Sequence, residues 1–220
     1  MQFSQPSTAR LVNRLRILNL IAKNEGLSRA DVARELALNK VSTSEIVDLL
    51  IADNLLVETG RRQVANGRPP TGLALQKDAK AVVAIDVGIR TTNVALVNMG
   101  GDLLRFERFP TERKPTAELL AATIIRNVTK VLSRMKDPKI VAGLAVAING
   151  TIEPATGTVL SVPDWEWDHV PLTVALAKHM PFPVIVENNV RSMVCGERWF
   201  GTIDDKRSLF YVNWGEHVGA

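Results

Sequence analysis

A chain of 220 residues is long enough for one large domain or two modest ones. Its 23% charged and 46% hydrophobic residues have the balance of a globular protein. The longest apolar run, Ile140–Ile148, is broken by Gly143 and too short to cross a bilayer, and the start, Met1–Ser7, lacks the charged segment and apolar core of a signal peptide, so no membrane partner and a cytoplasmic location are expected.

The charge is unevenly divided. Met1–Lys80 carries 12 Lys/Arg against 8 Asp/Glu, and Ala81–Ala220 carries 15 against 15, so the net +4 sits in the first 80 residues. A small basic domain joined to a neutral larger one implies a polyanion partner for the first alone.

In the first stretch Leu11, Leu15, Leu18, Ile21 and Ala22 recur at helical spacing, which predicts an amphipathic helix over 9–24 ended by Gly26. Ser28 is placed to cap a second helix, with Asp31 favouring its N-terminal dipole and Val32, Ala33 and Leu36 as its apolar face. Asn39 is placed to cap a third. Thr43, Ile46, Val47 and Leu50 follow at i, i+3, i+4 and i+7 and face inward, leaving Lys40, Ser42, Ser44 and Glu45 outside near the helix start. Leu55–Glu58 and Leu73–Leu75 read as paired strands. The turn between them carries Arg61 and Arg62, then Gly67-Arg68-Pro69-Pro70, a stiff arm suited to a narrow minor groove. Three helices followed by a basic hairpin form a winged helix-turn-helix, expected over 1–76. Its third helix would enter the major groove of a double-stranded DNA operator, with Asn39, Lys40, Ser42, Ser44, Glu45, Arg61, Arg62 and Arg68 as contacts.

After a connector at 77–80, Ala81–Ile85 reads as a strand, Asp86–Asn93 as a turn rich in small polar groups, and Val94–Asn98 as a second strand. Met99–Asp102 is a hairpin turn and Leu103–Phe109 a third strand. The expected order continues as helix 116–135, strand 140–148, helix 171–179, strand 184–186, helix 189–200 and a strand beginning over 209–212. Three antiparallel strands and then alternating helix and strand imply an α/β mixed sheet flanked by helices.

Cys195 is the only cysteine, which excludes an internal disulfide or thiolate cage, and inside a helix it reads as a small buried hydrophobe. His169, His179 and His217 are too scattered for a metal site. Trp165 and Trp167 fit either the wall of a sugar cleft or a packed core.

Asp86-x-Gly88 after a first strand, followed by a hairpin, resembles the phosphate loop of the actin-like sugar kinase fold. With Gly67-Arg68-Pro69, the Ala147–Gly157 loop, Val186-Glu187-Asn188-Asn189 with Gly196-Glu197, and Val212-Asn213-Trp214-Gly215, the chain from Leu11 to Ala220 resembles the repressor branch of the ROK family (repressors, open reading frames and kinases). The resemblance implies a winged helix-turn-helix joined to an actin-like, ribonuclease H-like lobe at 81–220. It also implies regulation, most simply repression, of sugar-utilisation genes by a sugar effector. Family kinases carry an aspartate base where this chain has Asn189, and an amide cannot accept the hydroxyl proton, so no catalytic residue is expected. Asn188 and Asn189, with Asn149 and Gly150, are the implied sugar contacts; capping of the following helix is their alternative role.

Asp86 and Gly88 remain as a phosphate-loop remnant. Ile89-Arg90 displaces the second glycine and its neighbour, and Glu216 adds negative charge to the second loop, so neither ATP nor any other cofactor is expected. Full-length relatives continue into a second lobe, so the chain is expected to be shortened after the first, with pairing into a homo-oligomer once that lobe is restored. A residual sugar kinase and a DNA-binding fragment without ligand response are the rival readings.

Overall fold

In the computed structural model, residues 6–61, 71–201, 208–214 and 218–219 are described. The chain divides into two compact units, Met1–Lys80 and Ala81–Ala220.

The first unit holds α1 (Pro6–Lys23), α2 (Arg29–Glu35), α3 (Lys40–Ala52), β1 (Leu56–Arg61) and β2 (Thr71–Leu75). The starts of α2 and α3 follow from local chemistry. Ser28 forms a reciprocal capping box with Asp31, its hydroxyl accepting from the Asp31 N–H and the Asp31 carboxylate accepting from the Ser28 N–H. The Asn39 side chain accepts from the N–H groups of Val41 and Ser42. Thr43, Ile46, Val47 and Leu50 are buried as their spacing requires, and the Thr43 hydroxyl is satisfied by the Asn39 carbonyl at 2.9 Å. β1 and β2 pair antiparallel with Leu56 opposite Leu75. Leu73 also exchanges backbone bonds with Gly26 and Leu27, which adds a third short extended segment to the wing that sequence pattern did not reveal.

Helix α1 departs from expectation. Ile17 and Ile21 are fully buried, whereas Leu11 and Leu15 are 57% and 51% exposed and Ala22 is exposed. Apolar spacing finds a stripe but not how far along the helix its partners reach, and here full burial starts only at Ile17. Arg62 and Arg68, with the Gly67–Pro70 arm, lie outside the described residues.

Acid sensitivity follows from the α2 cap. Hydrogen bonds from the Ser28 hydroxyl and N–H, then one from Arg34, lower the Asp31 carboxyl from 3.8 to about 2. The folded pKa lies below the unfolded one, so the stabilisation is complete above about pH 3.8 and fades as pH falls toward 2. Asp31→Asn is expected to be less stable than wild type at pH 7. The gap in denaturant midpoint should close as pH is lowered through that window.

The second unit is built on a five-stranded sheet. Its strands are β3 (Ala81–Val87), β4 (Thr91–Asn98), β5 (Leu103–Pro110), β6 (Val141–Ile148) and β10 (Val184–Asn188), in the order β10-β6-β3-β4-β5. β3, β4 and β5 are antiparallel, and β6 and β10 run parallel to β3. Alternation decides the faces. Val83, Ile85, Val87, Leu144, Val146 and Ile148 are buried in a core shared with Leu120, Ile124 and Val128 of α4 (Ala117–Leu132) and Leu172 and Leu176 of α5 (Leu172–Ala177). The alternate positions Ala84, Asp86, Ala145 and Ala147 are only partly covered, on the face touched by α6 (Asn189–Phe200).

Four expectations are corrected. Asp86 is not in a turn: pairing of β3 with β4 runs to Val87–Thr92, leaving only residues 88–90 to turn. Residues 151–170 form an unforeseen antiparallel sheet of β7 (Thr151–Glu153), β8 (Thr158–Val162) and β9 (Trp165–Val170). Residues 209–212 are not a strand; the short β11 (Asn213–Trp214) pairs instead with β12 (Val218–Gly219), and Phe210 is exposed. Cys195 is exposed, because α6 buries only Val190.

Candidate functional site

The first unit presents the N-terminal turns of α3. Lys40, Ser42 and Glu45 are exposed there and Ser44 partly so, around the Asn39 cap. Sequence reasoning passed over Val41, which is 67% exposed and stands on one ridge with Ser44 and Glu45 at i, i+3 and i+4. An apolar side chain left in water at the start of such a helix is suited to the methyl group of thymine. Arg29 of α2 braces this surface, bonding Asp48 of α3 at 2.7 Å and also Glu58 of β1. Arg61 ends β1, so the hairpin leads into the basic segment named above.

In the second unit the parallel register gathers the other candidates at one end of the sheet. Val87, Ile148 and Asn188 are level with one another, so Gly88, Asn149-Gly150 and Asn189 lie just beyond the C-terminal ends of β3, β6 and β10. Ligands bind at that end in open α/β sheets. Asn188 is committed on both sides of its amide: Nδ2 donates to the Gly150 carbonyl at 2.9 Å, and Oδ1 caps α6 by accepting from the Arg191 N–H at 3.1 Å. The Asn189 Oδ1 accepts from the Val190 N–H at 2.9 Å.

Gly88 and Gly150 are required by space, since a Cβ would stand 2.6 Å from the Thr91 carbonyl oxygen in one case and from that of Ser161 in the other. Asp86 accepts from Asn93 Nδ2 at 3.0 Å, and Asn93 in turn accepts from Arg108 at 2.8 Å, a polar chain across three strands on the partly covered face. Trp165 and Trp167 are each only 8% exposed, with ring centroids 5.0 Å apart, and belong to the core. Among the described residues no group of His, Cys, Asp and Glu is placed to hold a metal ion, and no helix is long and apolar enough to cross a membrane.

Asn188→Asp is expected to test the double role of this residue. The carboxylate keeps the cap but sets a negative oxygen against the Gly150 carbonyl, at a cost of about 1–3 kcal/mol. The change should appear as a lowered denaturant midpoint, with Asn188→Ser, which also caps, costing less.

Residues 82–220 match the family model described as ROK family. The chain belongs to the ROK family. Residues 11–68 match the model described as MarR family, a span that takes in most of α1, all of α2 and α3, and β1. The chain is similar to a xylose repressor of Caldicellulosiruptor bescii, 30% identical over 214 residues that cover 95% of this chain and 53% of that one. It is also similar to a glucokinase of Halalkalibacterium halodurans, 28% identical over 139 residues, 63% of this chain and 42% of that one. Among solved structures it resembles a ROK family transcriptional regulator, a homologue of the Escherichia coli MLC protein, with a TM-score of 0.74 and 22% identity over 87% of this chain and 49% of that one. That likeness bears on the fold. The chain spans about half the length of the repressors it matches. The ROK portion covers the whole second unit save Ala81, and the glucokinase likeness is of a length to match this unit alone, whereas the repressor likeness takes in nearly the whole chain.

Proposed function

We propose that this ROK chain is the DNA-reading and effector-sensing part of a sugar-responsive transcriptional repressor of sugar-utilisation genes. The observation that carries this is the capped, outward-facing start of α3 beside a wing hairpin, joined in one chain to a ROK lobe. Lys40, Val41, Ser42, Ser44 and Glu45 meet base edges and phosphates of a double-stranded operator, and Arg61, Arg62 and Arg68 extend along the adjacent groove. The end of the sheet at Asn149, Gly150, Asn188 and Asn189 contacts the sugar. No phosphoryl transfer is assigned to it, because Asn189 offers an amide where a base is required. In the whole protein two copies present two reading heads to two half-sites, in the cytoplasm.

The relatives named as repressors and the extent of their similarity support this reading over that of a kinase. The test is operator affinity with and without a panel of pentoses and hexoses. At least one sugar is expected to change affinity 5-fold or more, the scale of allosteric coupling. Identical affinities across the panel would remove sugar control from the account, and ADP formation from ATP with any of these sugars would restore the kinase reading.

A further inference from the structure

The basic first unit carries 8 Asp/Glu, and most of them are neutralised. Asp31 pairs with Arg34, Asp53 with Arg14, and both Asp48 and Glu58 with Arg29; Glu25 faces Lys77 at 3.8 Å, and Asp78 is also engaged. Among the described residues that leaves Glu35, at the end of α2, and Glu45, exposed on α3.

Nothing within α3 accounts for a carboxylate at position 45. Its neighbours at i−4, i−3, i+3 and i+4 are Val41, Ser42, Asp48 and Leu49, so its own helix offers it no cation and one like charge. The first turn of α3 holds no acidic residue, and Glu45 stands beyond it, where the helix dipole contributes little. On an ordinary surface such a group is harmless. On a helix laid into the major groove it repels the flanking phosphates and lowers affinity for every sequence, unless it meets a donor. Cytosine offers one in its N4 amino group, whereas guanine presents two acceptors and thymine an acceptor and a methyl group. Adenine also carries an amino group, but the N7 acceptor beside it opposes the second carboxylate oxygen. Val41 shares the ridge one turn earlier, about 6 Å along the axis, or about two base-pair steps.

We infer that Glu45 determines specificity by accepting a hydrogen bond from the N4 amino group of a cytosine, within about two base pairs of the thymine met by Val41, and that it weakens binding everywhere else. The inference rests on the DNA-reading part of the function above and names the base that one of its residues selects. The test begins with sites selected from a random duplex pool by the 220-residue chain. It then compares wild type, Glu45→Ala and Glu45→Gln on the selected duplex, on duplexes changed at each base pair, and on an unrelated duplex. Wild type is expected to lose about 10-fold at one C·G pair. Glu45→Ala should bind all bases there equally and should hold the unrelated duplex several-fold more tightly than wild type does. Glu45→Gln, whose amide matches the N6 and N7 of adenine, should prefer A·T at that pair. Both variants should keep the wild-type denaturant midpoint, since Glu45 is exposed. Full discrimination retained at every pair in Glu45→Ala, or a preference lost at a pair other than C·G, would overturn the inference while leaving α3 as the reading helix. Failure of wild type to select any site would overturn the DNA reading and this inference together.

Discussion

Leu50→Ala is expected to cost the first unit about 3 kcal/mol, within the range of 2–5 kcal/mol for buried leucines. Leu50 is fully buried on α3, in a unit whose other fully buried large side chains include Ile17, Ile21, Val32, Leu56 and Leu73. A unit of this size has a net stability of only roughly 4–12 kcal/mol, so one cavity removes a large share of it. Hydrogen exchange followed by peptide should show faster exchange throughout α1, α2 and α3, with β3 to β6 unchanged. Leu50→Met, which nearly conserves volume, should cost less than about 1.5 kcal/mol. Because Leu50 follows Thr43, Ile46 and Val47 on the inward face, the loss of DNA binding in Leu50→Ala should track the loss of fold and be restored in Leu50→Met. Uniform protection in Leu50→Ala would show that the helices are held by something other than this core.

Trp167→Ala is expected to cost the second unit about 4 kcal/mol, by the same cavity argument applied to a large aromatic residue. Trp167 is 8% exposed, packs beside Trp165 at 5.0 Å, and its indole N–H is bonded to the Pro115 carbonyl. Truncation therefore opens the core and also releases the loop carrying Arg113 and Lys114. Trp167→Phe keeps most of the apolar area but loses the N–H, and should cost about 1–2 kcal/mol. In that variant, exchange at residues 111–116 should accelerate while β3 and β6 stay protected. Trp167→Phe with an unchanged loop would show that the indole bond does not hold it.

The parts of the fold that rest on neighbouring residues were legible in the sequence. Ser28 with Asp31, and Asn39 with the turn after it, specify helix starts through bonds spanning two or three residues, and both caps form. The inward face of α3 and the N-terminal boundary of α6 followed from spacing and from Asn188. What depends on distant partners was less legible. The apolar stripe on α1 did not tell that Leu11 and Leu15 would remain exposed, and Asp86-x-Gly88 did not tell that strand pairing would carry Asp86 inside β3. The strands β7, β8 and β9 escaped notice because they are short and separated by turns at Pro154 and Pro163, although the alternation of Trp165-Glu166-Trp167-Asp168 was a usable signal. Val41 was missed for a different reason: it belongs neither to the inward stripe that begins at Thr43 nor to the polar residues of the helix start, and only its 67% exposure singles it out.

The most direct measurement is selection of bound sites from a genomic fragment pool, followed by salt-dependent affinity on the selected site for wild type, Lys40→Ala and Val41→Ala. A defined site is expected. Lys40→Ala should weaken binding to all sequences and lower the salt slope by about 0.9, as loss of one phosphate contact requires. Val41→Ala should weaken only the selected site, several-fold, and should erase the effect of replacing one contacted thymine by uracil, which lacks the methyl group. Weak, sequence-independent binding that neither substitution alters would contradict the assignment of α3 as the DNA-reading helix.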